Sequence, residues 1–513
     1  MPRMTKSSGR VVASKKPLRI CLTSSEFAPF AKAGGLADVS AALSAYLHSA
    51  GHDVRVLLPR YARIDSMGLD IEPVESLQDL QMRIGDQEVH YAIDTVTVPG
   101  TDLRIFLLRC PQFFGRESIY TQDDDEHVRF TLLSRAAIEM CQQMGFAPHI
   151  FSCHDWQTGM IPLYLRTTYA RDKLFAETRS VFTIHNIGYQ GVFPAHVLGQ
   201  LGVDGAEQHL HQDDLNAGVI NFLKTAIMYA DLVTTVSPTY AREILGDEYG
   251  MGMNDLLRER ASTLVGILNG VDYDEWDPAV DTLLPANYSA SDMSGKATCK
   301  SVLQRELGLQ EEADTPLVGI VSRLAGQKGF DLVEKVVPRM LTERHFSFVV
   351  LGSGEPQLES FFAWLQHHFK GRVCFYKGYN NELAHLIEAG SDMFLMPSRY
   401  EPCGLNQMYS LRYGTVPVVR ETGGLADSVQ HYDPTTGSGT GVVFRDYDEQ
   451  GLEWALNTAL DLYDSKSHWQ KMVANGMAMD YSWEQQGAEY VELFRTASES
   501  PYEHRMPGSR NNE

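Results

Sequence analysis

The pentapeptide GGLAD occurs twice in this chain, at positions 34–38 and again at 423–427. Each copy follows an apolar, strand-like run and opens a stretch with helical spacing; after the first, Leu36, Val39, Leu43 and Leu47 recur on one face. A helix start preceded by paired glycines is a ready anion site, because its free N–H groups point outward and the helix dipole favours negative charge. Two such turns, one near each end of the chain, predict two α/β domains facing one phosphorylated ligand.

Size agrees with two domains, since 513 residues exceed what one core organises. The net charge of −22 disfavours nucleic acid or an anionic membrane as partner, while a small anion needs only a local cluster of Lys and Arg. A neutral polymer is unaffected by that charge. The seven cysteines (Cys21, Cys110, Cys141, Cys153, Cys299, Cys374 and Cys403) are odd in number and never at CxxC spacing, which points away from a disulfide framework or structural zinc and toward a reducing cytoplasm. No apolar run approaches membrane-spanning length. Residues 1–17 are basic without an apolar core and read as a disordered tail rather than a secretory signal; 498–513 read as a second tail.

Between the tails, strand-like and helical runs alternate. Strands are expected at 18–23, 54–58, 104–108, 149–152, 180–184 and 231–236, with helices such as 128–143 and 219–230 between them. The turn-rich segment NGVDYDEWDP (269–278) reads as the junction between a domain at 18–268 and one at 269–483. The second domain repeats the alternation, with strands at 317–322, 347–351, 372–376, 392–397 and 416–419. A helical stretch at 484–497 is placed to cross back onto the first domain. Alternation of this kind gives parallel, doubly wound sheets, which bind ligands beyond the carboxyl ends of their strands. The loops after Thr23, Ser152, Ile184, Ser322, Pro397 and Val419 are therefore expected to line one cleft. Residues 60–100 carry no legible role.

Those loops hold the candidate chemistry. Lys32 stands two residues before Gly34-Gly35 as a counter-charge for phosphate. Arg323 and Lys328, in SRLAGQKG, can straddle a diphosphate, the first as a fork and the second as a point charge. His185-Asn186 and Asp155-Trp156 end two strands of the first domain and offer hydroxyl contacts and an aromatic face suited to a sugar. Glu401, held by Pro402 and a permissive Gly404, stands twenty-two residues before the second glycine pair, Gly423-Gly424. A carboxylate so close to a phosphate cradle suits cleavage of a phosphate-linked substrate. Asp123-Asp124-Asp125 resembles a metal-binding DxD motif, but a helix cap is sufficient reason for it. Cys403 lacks a nearby base that would make it a nucleophile.

Together these segments resemble the bacterial glycogen synthase and plant starch synthase family of GT-B glycosyltransferases. The match runs from about residue 18 to about 497. Its most specific part is SRYEPCGLNQMYSLRYGTVPVVRETGGLADSV (398–429), with KAGGLADV (32–39), HDWQTG (154–159), TIHNIGYQG (183–191), ILNGVDYDEWDP (267–278) and SRLAGQKG (322–329) in the family's order. The resemblance implies two Rossmann-like domains facing a central cleft and a retaining transfer of glucose from ADP-glucose to the non-reducing end of an α-1,4-glucan, in the cytoplasm and with no metal. It implies that Lys32, Arg323 and Lys328 neutralise the donor diphosphate, helped by the amides of Gly34, Gly35, Gly423 and Gly424 beside Thr422. His185, Asn186, Asn269 and Glu401 hold the transferred glucose, Asp155 sits near the reacting centre, and the Cys403-Gly404-Leu405 turn belongs to the donor-binding residues. Tyr379 stacks on the nucleobase and Asp38 reaches toward the ribose. Retention comes either from a covalent intermediate on a carboxylate or from same-face attack in which the departing phosphate takes the acceptor's proton. Ala33 and Asn406 depart from the family's commoner residues without removing a charge or a glycine. An epimerase, a phosphorylase or a glucan-binding scaffold without turnover are the competing readings; all four of Lys32, Arg323, Lys328 and Glu401 are present, which speaks against the scaffold.

Overall fold

A computed structural model describes residues 16–499. The tails expected over 1–17 and 498–513 fall, apart from their innermost residues, outside the described residues.

The first half of the chain builds a ten-stranded sheet around Arg19–Thr23. That strand pairs in parallel with Asp53–Pro59 on one side and with Ile150–His154 on the other. Arg179–Ile184, Leu232–Thr235 and Leu264–Gly266 extend the parallel run beyond Ile150–His154, and Arg104–Arg109 extends it beyond Asp53–Pro59. Both Ile150–His154 and Arg179–Ile184 are buried throughout, as suits parallel strands covered on both faces. The strand expected to end at Ser152 runs on to His154, so the cleft loop starts at Asp155.

The sheet is not parallel throughout, which corrects the expectation at one edge. Gln87–Thr97 runs antiparallel to Arg104–Arg109, and Leu80–Ile84 folds back on it with Ile84 opposite Gln87. The two-residue turn between them begins at Gly85, whose φ of 59° is the left-handed geometry tight hairpins require. Residues 60–100 thus contain the strands of the sheet's antiparallel edge. The helix expected over 219–230 begins instead as strand Val219–Asn221, paired antiparallel with Val192–Pro194; Phe222–Tyr229 is the helix, and the Asn221 side chain accepts from the Lys224 amide at its start.

The second sheet has six parallel strands in the spatial order Val373–Lys377, Ser347–Gly352, Leu317–Val321, Met393–Met396, Val416–Arg420, Val442–Phe444. Chain order therefore reverses between Leu317–Val321 and Met393–Met396. In the first sheet it reverses between Arg19–Thr23 and Ile150–His154. Crevices form where neighbouring strands send their loops opposite ways, so these two points mark the site.

The first sheet is enclosed by one continuous core, and the two faces of the second by separate apolar clusters. Helix Trp483–Glu499 belongs to the first core through Trp483, Tyr490 and Phe494. Gly487 lets it lie directly on helix Gly35–Ser49, for a Cβ there would fall 2.2 Å from the Tyr46 ring. The two passages of the chain between domains run side by side, with the Val271 amide donating to the Tyr481 carbonyl at 2.7 Å. No helix among the described residues is long and apolar enough to cross a membrane.

Candidate active site

The loop after Arg19–Thr23 is organised by a residue the sequence did not single out. Glu26 is buried, and its Oε2 accepts from the amides of Ala33 (2.7 Å) and Gly34 (2.8 Å) while Oε1 accepts from the Tyr120 hydroxyl (2.6 Å). The Gly34 amide is thereby committed within the protein. Gly35 and Leu36, first in their helix, have amides with no intrahelical acceptor. A Cβ on Gly34 would meet nothing within 4 Å, so the glycine leaves open space at the helix start. Lys32 Nζ pairs with Asp38 at 2.8 Å. Burial works against its charge, but the Asp38 carboxylate prevails and holds the ammonium above the usual lysine range.

Asp155 follows its buried strand with φ 56° and ψ 179°, a conformation that costs a non-glycine residue about 1–3 kcal/mol. The geometry aims its carboxylate at the next loop, where Oδ1 accepts from the His185 amide at 2.7 Å and the Asn186 amide also donates to it. Burial nonetheless pushes its pKa up to about 7. Asn186 Oδ1 accepts from Gly188 N at 3.0 Å, closing the turn. His185 Nε2 lies 2.9 Å from His154 Nδ1. Trp156 is not a sugar platform. Its ring packs against Phe130, Phe193 and Phe222, and Gly191 approaches so closely that a Cβ would fall 2.3 Å from it.

In the second domain, Lys328 Nζ pairs with Glu401 Oε2 at 2.6 Å, and the Ser398 hydroxyl donates to the same oxygen at 2.9 Å. Glu401 is only 5% exposed, so the pair sits in low dielectric. Gly329, at φ 75°, lets the Lys328 turn close on the start of the Glu401 loop, since a Cβ there would fall 1.9 Å from the Pro397 carbonyl oxygen. Gly404 adopts φ 72° just before helix Asn406–Arg412, and Asn406 Nδ2 donates to the Val321 carbonyl at 3.0 Å.

The second glycine pair differs from expectation. The Gly423 amide donates to Glu243 Oε1 at 3.0 Å, as does the Thr422 hydroxyl, and the Gly424 amide donates to the Glu401 carbonyl at 3.1 Å. A Cβ on Gly423 or Gly424 would lie 1.9 or 2.0 Å from the carbonyl oxygens of Glu401 or Cys403. These glycines let the strand-end turn pack beneath the Glu401 loop, and neither amide is left for phosphate. Thr422 is engaged the same way.

The two domains meet around these groups. Arg323 Nη1 donates to the Tyr189 hydroxyl across the cleft at 3.3 Å and feels the charges of Glu401 and Glu26. Gly35 faces Leu405, whose methyl lies 3.7 Å from the Cβ position. Tyr379 is 66% exposed and donates to Asn381 Oδ1 at 2.7 Å. Tyr379, Glu275, Asp38 and Lys32 lie in one neighbourhood. Asn269 is buried, its Oδ1 has no hydrogen-bond partner among the described residues, and its amide donates to the Cys403 thiol. Burial pushes that thiol up to about 12, which keeps it protonated and inert. Among the site residues not singled out from the sequence, Glu26 and Tyr189 had a signal, since they lie in the loops after Thr23 and Ile184, and Glu275 stands in the NGVDYDEWDP segment; Glu243 had none.

Asp123 and Asp125 both bind the Arg116 guanidinium, the former at 2.9 Å. Asp125 occupies the cap position of helix Glu126–Gln143 without a side-chain cap bond, so an ion pair rather than capping accounts for the acidic run.

Comparison with known proteins agrees with this geometry. Residues 19–259 match the starch synthase catalytic domain, and residues 307–476 match the glycosyl transferases group 1. Glycogen synthases of Anaeromyxobacter sp. (strain Fw109-5) and Koribacter versatilis (strain Ellin345) are each 45% identical to the chain, over 93% and 94% of it and 99% of each relative. The catalytic domain of starch synthase IV from Arabidopsis thaliana, solved with ADP and acarbose, matches with a TM-score of 0.87 at 37% identity, covering 94% of this chain and 100% of that one. Sucrose-phosphate synthase from Thermosynechococcus elongatus, at 17% identity and a TM-score of 0.58, shares the fold alone. The chain belongs to the glycogen and starch synthase family of GT-B glycosyltransferases.

Proposed function

We propose that this glycosyltransferase moves glucose from ADP-glucose to the non-reducing end of an α-1,4-glucan with retention of configuration, in the cytoplasm and without a metal ion. The observation that carries the reading is that Lys32, Arg323 and the Lys328–Glu401 pair lie on the loops that follow the strands where each sheet reverses its order. The Arabidopsis relative, solved with ADP and acarbose, supports both the nucleotide and the glucan.

Breaking the bond to the diphosphate builds positive charge on the sugar ring and negative charge on the leaving oxygen. Lys32, Arg323 and Lys328 meet that negative charge, with the open amides of Gly35 and Leu36 adding hydrogen bonds; one such donor is worth about 3–4 kcal/mol of barrier. Three fixed cations do the work a divalent ion would do. Glu401, His185, Asn186 and Asn269, with the Cys403-Gly404-Leu405 turn, hold the glucose. Asp155 fixes the His185-Asn186 backbone beneath it. Tyr379 stacks on the adenine, and Asp38 gives up Lys32 to the phosphate and turns to the ribose. The acceptor hydroxyl attacks from the face the diphosphate leaves, and a departing phosphate oxygen takes its proton.

The test is glucose incorporation into glycogen from ADP-glucose, with UDP-glucose in parallel and EDTA present. Glucan growth from ADP-glucose that survives EDTA is the expected result. Donor consumption without glucan growth would assign a different GT-B reaction, and no consumption would leave a binding scaffold.

A further inference from the structure

We propose that Ser152 and His154 fix the tautomer of His185, so that His185 Nδ1 carries the hydrogen and is a donor, never an acceptor, toward the cleft. Three side chains form one line. Ser152 Oγ lies 3.0 Å from His154 Nε2, and His154 Nδ1 lies 2.9 Å from His185 Nε2. Ser152 and His154 are fully buried on strand Ile150–His154, while His185 is half-buried at the end of the neighbouring strand. With Nε2 engaged, Nδ1 is the His185 nitrogen left for a ligand, and it is not among the buried, unpartnered atoms.

Two neutral imidazoles can share a hydrogen bond in two directions. In one, the serine hydroxyl donates to His154 Nε2, His154 Nδ1–H donates to His185 Nε2, and His185 keeps its hydrogen on Nδ1. In the other every bond reverses, and His185 Nδ1 presents a lone pair. Ser152 decides between them. Among the described residues its hydroxyl has no hydrogen-bond partner except His154. Reversal would make the serine oxygen an acceptor and leave its O–H buried and unpaired, which is the unfavourable state for a polar hydrogen out of water. The forward direction satisfies every hydrogen in the line. Neither ring supplies an extra proton to blur the choice, because burial pulls His154 down to about 3 and holds His185 well below the usual histidine range.

Ser152 and His154 are thus positioning residues, acting through His185. That its Nδ1–H meets a hydroxyl oxygen of the transferred sugar rests on the function proposed above; the tautomer does not.

The experiment is a long-range proton–nitrogen correlation spectrum of the full chain labelled with 15N-histidine, near neutral pH. A His185→Gln variant identifies the His185 signals. The wild-type protein is expected to show His185 neutral with hydrogen on Nδ1; hydrogen on Nε2 would overturn the proposal without any variant. In Ser152→Ala the bias is removed, and the His185 signals should move toward the average of the two forms. Unmoved signals in the folded variant would overturn the part given to Ser152. The same variant should lower kcat about tenfold with little change in donor KM. A shifted tautomer with unchanged kcat would leave the tautomer standing and fault the sugar contact instead.

Discussion

Two buried carboxylates carry most of the site's testable chemistry. Glu401 is held by Lys328 and the Ser398 hydroxyl, so Lys328→Ala leaves an anion in low dielectric with one neutral donor. Breaking such a pair from one side costs about 3–5 kcal/mol of stability. The same change removes a cation from the leaving group, so kcat should fall at least about a hundredfold while the protein stays folded. Glu401→Ala should lower kcat as much, and steady-state kinetics beside a denaturant titration separates the two effects. Near-normal turnover in either variant would refute the site. Asp155 gives a different signature. Its pKa rises on folding from 3.8 to about 7, so the folded protein holds a proton there that the unfolded chain has released. Stability from this group is whole below pH 4 and drains away as pH rises toward 7, by roughly 4 kcal/mol at about 1.4 kcal/mol per unit. Asp155→Asn cannot ionise and escapes that loss. The melting temperature of the variant minus that of the wild type should therefore climb between pH 4 and 7 and level off above; a difference flat with pH would contradict the raised pKa.

At the scale of elements, the repeated pentapeptide shows what sequence can and cannot convey. Both copies were legible as strand-to-helix turns, because paired glycines before a helical apolar stripe leave few other conformations. Their uses were not legible, since those depend on what packs above each turn. The first opens a 15-residue helix into free space; the second opens the short helix Gly423–Ser428 beneath the Glu401 loop. There a reciprocal exchange joins the domains. Glu243, ending helix Pro238–Glu243, accepts from Thr422 and Gly423, while Asp427 accepts from the Thr239 amide (2.7 Å) and hydroxyl (2.6 Å) at that helix's start. The Asp of the second copy is thus a cap for a helix in the other domain, and its counterpart Asp38 is an ion-pair partner of Lys32. Asp427→Ala should cost about 1–2 kcal/mol, the usual loss for a removed cap, read as a lower denaturation midpoint with kcat nearly unchanged. The hairpin at residues 80–97 escaped the reading for a related reason: its burial alternates only at one end, and its partner strand follows it in the chain. Trp156 was ambiguous because an aromatic at a strand end serves core and ligand alike until its neighbours are known.

For the whole molecule, the distribution of contacts between domains predicts how they move. One side is dense. The two chain passages bond through Val271 and Tyr481, Gly270 packs on Trp483, and the Glu243 and Asp427 exchange adds hydrogen bonds from helix Pro238–Glu243 to the second domain. The other side, over the site, is thin: the Arg323–Tyr189 bond is long and exposed, and Leu405 meets Gly35 only at van der Waals distance. A body tied firmly at one edge and lightly at the other opens about the tied edge. Opening would separate Lys32 from Lys328 and Arg323, leaving like charges to face water singly, whereas a diphosphate between them draws the cations together. Nucleotide should therefore favour the closed form, which also keeps water from the reacting glucose. Small-angle scattering should show the radius of gyration falling when ADP is added. In Arg323→Ala, which lacks both the cross-cleft bond and one of the cations, the free protein should be more open and ADP should close it less. Equal radii with and without ADP in the wild type would mean that the thin side is as rigid as the dense one, and that the cleft admits its donor without domain movement.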